Sequence, residues 1–345
     1  MRIAELLEPH RFRLAEGAIA EPGPGEVQVR VDSVGVCGSD LHNFLEGSVG
    51  DIPSQYPMVL GHEPTGVVVK TGAGVSGWQA GDRAALEPAV YCYHCEFCRS
   101  GHHNVCANLR FLSQPGDPGY FREFVNLPAG NLLPFPAGLS FEEATVFEPL
   151  AIILHSMKLA QITAGETVAV FGAGPIGLLT SAAAKLSGAG RVWSIDPVAH
   201  RREIALQMGA DAVVDPSAVD PSAFIRNETG KRGVDIAFDC ATKGGSMNHS
   251  LRVTRNAGRV VFTGIPSETS VDFEFHVARR KELAIFLTRR SNHESGIALR
   301  MMTENFRRFA PMLTHTRPMD GIQGAFEILE RYADGVGKIV IKVSG

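Results

Sequence analysis

The sequence predicts an α/β protein of two domains, an irregular β-rich region followed by a doubly wound sheet of six parallel strands. Three observations predict it. Five mostly apolar residues, 167–171, lead into Gly172-x-Gly174-x-x-Gly177, a helical stretch and a second strand closed by Asp196. From Gly165 onward, strand-like and helix-like stretches alternate regularly, as parallel strands joined by crossover helices do. Before that point the chain holds short strands and turns with little helix. A length of 345 residues accommodates two domains of ordinary size.

Taken in order, residues 1–36 alternate in strand fashion, with Val27, Val29 and Val31 on one face after a Pro/Gly turn at 21–25. A second β-rich stretch runs through Gly61-His62-Glu63 and 65–69 to glycine turns ending at Gly81-Asp82. The six parallel strands are expected at 167–171, 191–195, 212–215, 234–239, 259–263 and 283–288. Helices are expected at 178–186, 200–208 and 245–255. The last part should cross back to the first domain, with a helix at 321–334 and a strand at 338–343. The predicted domains are therefore 1–150 with 291–345, and 151–290.

The composition is 44% hydrophobic and 20% charged with 37 glycines, which suits a compact enzyme with many turns. A net charge of −4 and a pI near 6.3 exclude a basic field for nucleic acid or anionic lipid. The first residues are acidic and lack a signal-peptide apolar core, and no window reaches the apolar length of a membrane span. The expectation is a cytoplasmic protein with a small-molecule substrate.

The glycine turn carries the cofactor prediction. Gly172 makes the tight turn, Gly174 leaves room for a pyrophosphate, and Gly177 lets helix and sheet approach. Pro175 fits the first helical turn, where its missing N–H costs nothing. Gly172, Gly174, Pro175, Ile176 and Gly177 are the predicted dinucleotide cradle. Asp196, 24 residues after Gly172, would meet the adenosine ribose 2′-OH and repel a 2′-phosphate, so NAD is expected over NADP. Arg201 and Arg202 follow on a helical stretch and are expected to face solvent, with Arg201 still counted among the candidate cofactor residues. Strands four and five end at Asp239-Cys240-Ala-Thr242 and Thr263-Gly-Ile265, so Thr242, Thr263 and Ile265 should line the nicotinamide side. Cys240 reads as a buried small residue. The bland alternative is a βαβ unit without ligand.

Six cysteines in a chain this long do not make a secreted disulfide scaffold. Four of them fall within fifteen residues as Cys92-x2-Cys95-x2-Cys98-x7-Cys106. Four thiolates around one ion make a closed structural zinc site. The common iron–sulfur run places its last cysteine after x3 and follows it with proline, whereas here the gap is x7 and Ala107 follows. His94, His102 and His103 should be exposed bystanders.

Cys37, His62, Glu63 and Glu148 are scattered candidates for a second site. Catalytic zinc draws three protein ligands from such residue types, but their spacing alone does not assemble them. Singly, Cys37 reads as a core residue, His62 as a loop histidine and Glu148 as a capping carboxylate.

Taken together, Val36-Cys37-Gly-Ser39-Asp40-x-His42, Gly61-His62-Glu63, the four-cysteine lobe, Phe147-Glu148-Pro-Leu150 and the Gly172 turn resemble the zinc-containing medium-chain alcohol dehydrogenases, polyol (sorbitol-type) branch. The resemblance spans essentially the whole chain. It implies a GroES-like first domain, two zinc ions per subunit, and a homotetramer or dimer. It implies Cys37 and His62 as direct ligands, with Glu63, Glu148 or a water between them completing the site. It also implies Ser39 and His42 as a proton relay from the substrate oxygen. Arg289 matches an arginine that the branch places on substrate hydroxyls, and Arg290 stands where the branch has an aromatic residue. Two guanidiniums suit a carboxylate or phosphate, unless one faces solvent or pairs across domains. Pro64 departs from the family by following Gly-His-Glu, where small residues are usual.

The implied activity is hydride transfer from a secondary alcohol of a polyol or sugar acid to NAD, giving the ketone. The alternatives are a threonine 3-dehydrogenase or a phosphorylated-polyol dehydrogenase. Zinc-free quinone and enoyl reductases share the nicotinamide domain but lack the cysteine lobe and the Cys37/His62 pair. An NAD(H) sensor without turnover would not require the ligand set.

Overall fold

Strand β1 (Glu26–Gly35) is the inner strand around which the first part of the molecule is built. Val27, Val29, Val31 and Val34 are fully buried, as alternation leads one to expect, but Gln28, Asp32 and Ser33 on the other face are buried too. Their polar atoms are answered within the fold. Gln28 donates to the Ala20 carbonyl at 2.7 Å, and Asp32 receives the Ser33 hydroxyl and the Lys342 ammonium, each at 2.8 Å. Helix α1 (Gly38–Leu45) follows β1 directly, and strand β2 (Glu63–Thr71) pairs antiparallel to it with Gly35 opposite Glu63. Cys37 and His62 therefore leave the same end of this strand pair. The strand Lys338–Lys342 covers the other side of β1, with Val340 opposite Gly35. The remaining strands complete a seven-stranded sheet.

This computed structural model describes residues 1–243 and 245–344. The chain divides into two units, one of Met1–Glu148, Ser295–Glu304 and Leu313–Gly345, the other of Pro149–Glu294 and Asn305–Met312.

Helix α2 (Phe147–Ala160) opens into the second unit, where strand β3 (Thr167–Phe171) leads into helix α3 (Pro175–Leu186). The sheet continues with β4 (Arg191–Ile195), β5 (Ala212–Val214), β6 (Val234–Asp239), β7 (Thr254–Phe262) and β8 (Ala284–Leu287). Its spatial order is β5-β4-β3-β6-β7-β8, and all pairs are parallel. The order reverses beside β3, which puts the glycine turn at the switch point where such sheets bind ligands.

Several boundaries differ from the sequence prediction, the helix expected at 178–186 beginning at Pro175 among them, and two have a clear backbone cause. The helix expected at 245–255 ends at Val253, and β7 begins at once with Thr254 opposite Val234. An irregularity in register before Arg259, with Ala257 at φ 51°, absorbs the extra residues. The helix expected to reach 334 stops at Glu330, because Tyr332 and Asp334 take left-handed φ of 51° and 53°. Such angles cannot continue a helix.

Gly177 is the tightest point between helix and turn. A Cβ there would lie 1.8 Å from the Gly172 carbonyl oxygen. Gly177→Val should force the first turn of α3 away from β3 and lower the thermal unfolding midpoint by roughly 5 °C. Circular dichroism melting checks it, and an unchanged midpoint would contradict the packing described.

Candidate active site and metal centres

The four-cysteine lobe has a small core of its own, formed by Ala89, Tyr91, Cys98, Cys106 and Phe111. Cys95 caps the short helix Glu96–Arg99 and its sulfur accepts the Cys98 amide at 3.4 Å. Cys92 Sγ accepts the Cys95 amide at 3.4 Å, so backbone donors hold the sulfurs facing one another. The sulfur separations are 3.4 Å for Cys92–Cys106, 3.9 Å for Cys95–Cys106 and 4.0 Å for Cys92–Cys98. A tetrahedral ion with bonds of about 2.3 Å to sulfur spaces its ligands about 3.8 Å apart. A disulfide needs about 2.05 Å. The lobe fits zinc.

The charges agree. The His94 amide leads the contacts that pull the Cys92 thiol down to about 5, whereas burial and the neighbouring thiols push Cys98 up to about 12. A dication shared by all four sulfurs removes that conflict. His94 and His102 are exposed, as expected. His103 is not: its ring is half-buried, 5.7 Å from that of Tyr91 and 5.5 Å from that of Tyr93.

The second cluster forms where β1 and β2 end. Among the described residues, Cys37, His62 and Glu63 bring one donor atom each within 4.8 Å of one another. Asp40, whose role is not marked by the local sequence, holds them in place. Its buried carboxylate accepts the Cys37 amide at 3.1 Å, the Gly61 amide at 3.2 Å and the Ser113 hydroxyl at 3.1 Å. It also stands 3.3 Å from His62 Nδ1, which turns Nε2 toward the open side, where Ser39 Oγ lies 3.4 Å away. Burial opposes charge on His62, but Asp40 and Cys37 override it and hold its pKa well above the ordinary value. The pocket attracts positive charge, which a cation would supply.

Glu148, in the first turn of α2, is buried and lies outside the trio, and no hydrogen-bond partner reaches its Oε2 among the described residues. Burial first, then the charges of Glu63 and Glu87, push its carboxyl up to about 8, against the pull of His62 and Lys338. Glu148 is thus near enough to feel the cluster without sharing its donor geometry. His42 is half-buried and its Nδ1 lies 2.9 Å from Glu46 Oε2.

In the second unit Gly172 has φ 91° and donates its amide to the Ile195 carbonyl at 2.7 Å, which bends the chain over the end of β4. Asp196 uses both oxygens on backbone amides, from Ala173 at 2.7 Å and Val198 at 2.8 Å. A carboxylate offers about four acceptor sites, so it retains capacity for a ribose hydroxyl. Arg201 and Arg202 do not simply face solvent, contrary to expectation. Arg202 is anchored to the Asp196 carbonyl at 2.8 Å and to Asp215 at 3.0 Å. A Cβ on Gly174 would stand 3.9 Å from Arg201 Nη1, so that guanidinium lies over the glycine turn.

Asp239, another residue given no task from sequence, shapes the next loop. Fully buried at the end of β6, it accepts the Ala241 and Thr242 amides at 3.0 Å each. Thr242 takes φ 49° there, and Thr263 donates its amide to the Asp239 carbonyl at 2.9 Å. Ile265 is exposed on the following loop. Cys240 is half-buried rather than buried as expected, and desolvation pushes its thiol up to about 12. Arg289 is exposed two residues after β8, and Arg290 is half-buried with φ 52°.

Comparison with known proteins agrees with this geometry. Residues 23–137 match the alcohol dehydrogenase GroES-like domain, and residues 175–304 match the zinc-binding dehydrogenase domain. Human sorbitol dehydrogenase is 34% identical over 97% of this chain and 93% of its own length. The crystal structure of Escherichia coli L-idonate 5-dehydrogenase superposes with a TM-score of 0.91 at 26% identity, covering 99% of this chain and 97% of that one. A zinc-binding dehydrogenase from Sinorhizobium meliloti bound to NADP gives 0.88 at 30% identity, covering 99% and 98%. The chain belongs to the zinc-containing medium-chain alcohol dehydrogenases. Within that superfamily its place is the polyol branch, and it is an oxidoreductase acting on alcohols.

The lobe predicts that Cys98→Ser removes one of the metal equivalents that the two donor clusters would hold, and lowers the melting temperature. Atomic emission on purified protein checks the first point. Unchanged zinc content would overturn the assignment.

Proposed function

We propose that the protein oxidises a secondary alcohol of a polyol or sugar acid with NAD, using one zinc at Cys37, His62 and a glutamate and a second, structural zinc at Cys92, Cys95, Cys98 and Cys106. The observation that carries this reading is the convergence of Cys37, His62 and Glu63 behind the Asp40 clasp.

A zinc held by Cys37, His62 and a glutamate would supply Lewis acidity toward the alcohol oxygen. The chain's own residues do the rest. Ser39 lies beside His62 Nε2 and is the first acceptor for the hydroxyl proton. His42 is three residues further on the same helix, where i and i+3 side chains share a face, and passes that proton toward Glu46 and water. Bound NAD would accept the carbinol hydride, so the alcohol would give up one hydride and one proton and become a ketone. Contact between the carbinol carbon and C4 of the nicotinamide is what binding must arrange.

Gly172, Gly174, Pro175, Ile176 and Gly177 cradle the pyrophosphate, with Arg201 over the turn, and Thr242, Thr263 and Ile265 lie toward the nicotinamide. Asp196 favours NAD, since its charge opposes a 2′-phosphate. Arg289 and Arg290 supply a carboxylate-binding pair, a reading favoured by the idonate-acting neighbour because idonate is itself a sugar acid. The protein is proposed to work in the cytoplasm as a homotetramer or dimer. In this reading five of the six cysteines serve as metal ligands, and no described helix is long and apolar enough to cross a membrane.

The test is NADH formation by zinc-loaded protein with sorbitol and xylitol against gluconate, galactonate and gulonate. The acids should be preferred, and Arg289→Ala should raise KM for them by about tenfold or more while leaving neutral polyols nearly unchanged. Equal effects on both classes would remove the carboxylate clamp. Separately, kcat/KM should favour NAD over NADP, and Asp196→Ser should narrow the ratio by about tenfold. A wild-type preference for NADP would refute the role of Asp196.

A further inference from the structure

Lys338 opens the C-terminal strand, and its side chain has no exposed surface. It pairs with Oε2 of Glu63, which is equally buried, and donates to the Val36 carbonyl at 3.1 Å. The two residues come from strands on opposite sides of β1 and meet across Gly35. A Cβ on Gly35 would stand 2.1 Å from Glu63 Oε2 and 3.0 Å from Lys338 Cε. The glycine is the gap through which the pair closes.

A buried ion pair is a poor source of stability, since apolar residues of similar volume commonly serve as well. The carboxylate favours the ammonium, but a dication held by the same cluster would be repelled by it. Its position offers a use. The ammonium stands against Oε2 of Glu63, and a carboxylate oxygen of the same residue lies with the donor atoms of Cys37 and His62.

We propose that Lys338 is a positioning residue for the central metal: it restricts Glu63 to one donor oxygen and keeps a positive charge behind it, which leaves a coordination position for substrate and keeps the metal exchangeable. This rests on reading Cys37, His62 and Glu63 as the metal site. That reading is checked first, because protein carrying cobalt only at the central site, with zinc kept in the four-cysteine lobe, should show a thiolate-to-cobalt absorption that Cys37→Ser abolishes. If wild type lacks that band, the site itself is misassigned.

With the site established, Lys338→Met should let Glu63 chelate through both oxygens. The visible d–d bands of that cobalt centre should weaken as four-coordinate metal becomes five-coordinate, and release of the central zinc to excess EDTA should slow by about tenfold, the reverse of the affinity loss that removing an outer-shell partner usually brings. Lys338→Arg should restore both. A Met variant with wild-type spectrum and release rate, changed only in melting temperature, would make the pair merely structural. If Lys338→Met does not fold, Glu63→Gln is compared with Glu63→Gln/Lys338→Met, in which both buried groups are neutral. The double variant should release zinc several-fold more slowly than the single one, and equal rates would overturn the proposal.

Discussion

Asp40 accepts the amides of Cys37 and Gly61 and the hydroxyl of Ser113, and stands 3.3 Å from His62. One carboxylate thereby ties together the segment after β1, the segment before β2 and a distant loop. A buried carboxylate is tolerable only when its lone pairs are met and a positive group is near. Here that requirement and the metal site share one solution. The imidazole that balances Asp40 is also the one whose far nitrogen is offered to the site.

The same device recurs in the second unit. Asp196 and Asp239 stand buried at strand ends and spend their oxygens on the amides of the loops that follow. Each holds a loop at the carboxyl edge of the sheet, where ligands bind. Rigid strands end in buried aspartates, and the loops take their shape from those carboxylates. Thr242 keeps its left-handed φ in a loop pinned this way.

Charge around the central cluster is divided unevenly. Glu63 has an ammonium partner in Lys338, whereas among the described residues no hydrogen-bond partner reaches Glu148 Oε2, and burial drives its carboxyl toward the neutral form. The two glutamates are chemically alike but differently placed. Sequence could not rank them, because the ranking depends on which carboxylate the lysine from the far end of the chain reaches across Gly35.

The four-cysteine lobe and the glycine turn were legible in the sequence because their function is local. Thiol spacing and a strand–turn–helix run declare themselves within a few dozen residues, and the six parallel strands follow from regular alternation. Helix ends were less legible, since a left-handed residue such as Tyr332 carries no strong sequence mark. The central site drew on family resemblance, and the work of Asp40, Asp239 and Lys338 went unread. Their roles depend on strand register and on contacts up to 302 residues apart in the chain, as between Lys338 and Val36. Local pattern thus determined which residues carry chemistry, and only the tertiary structure decided which buried charges face one another.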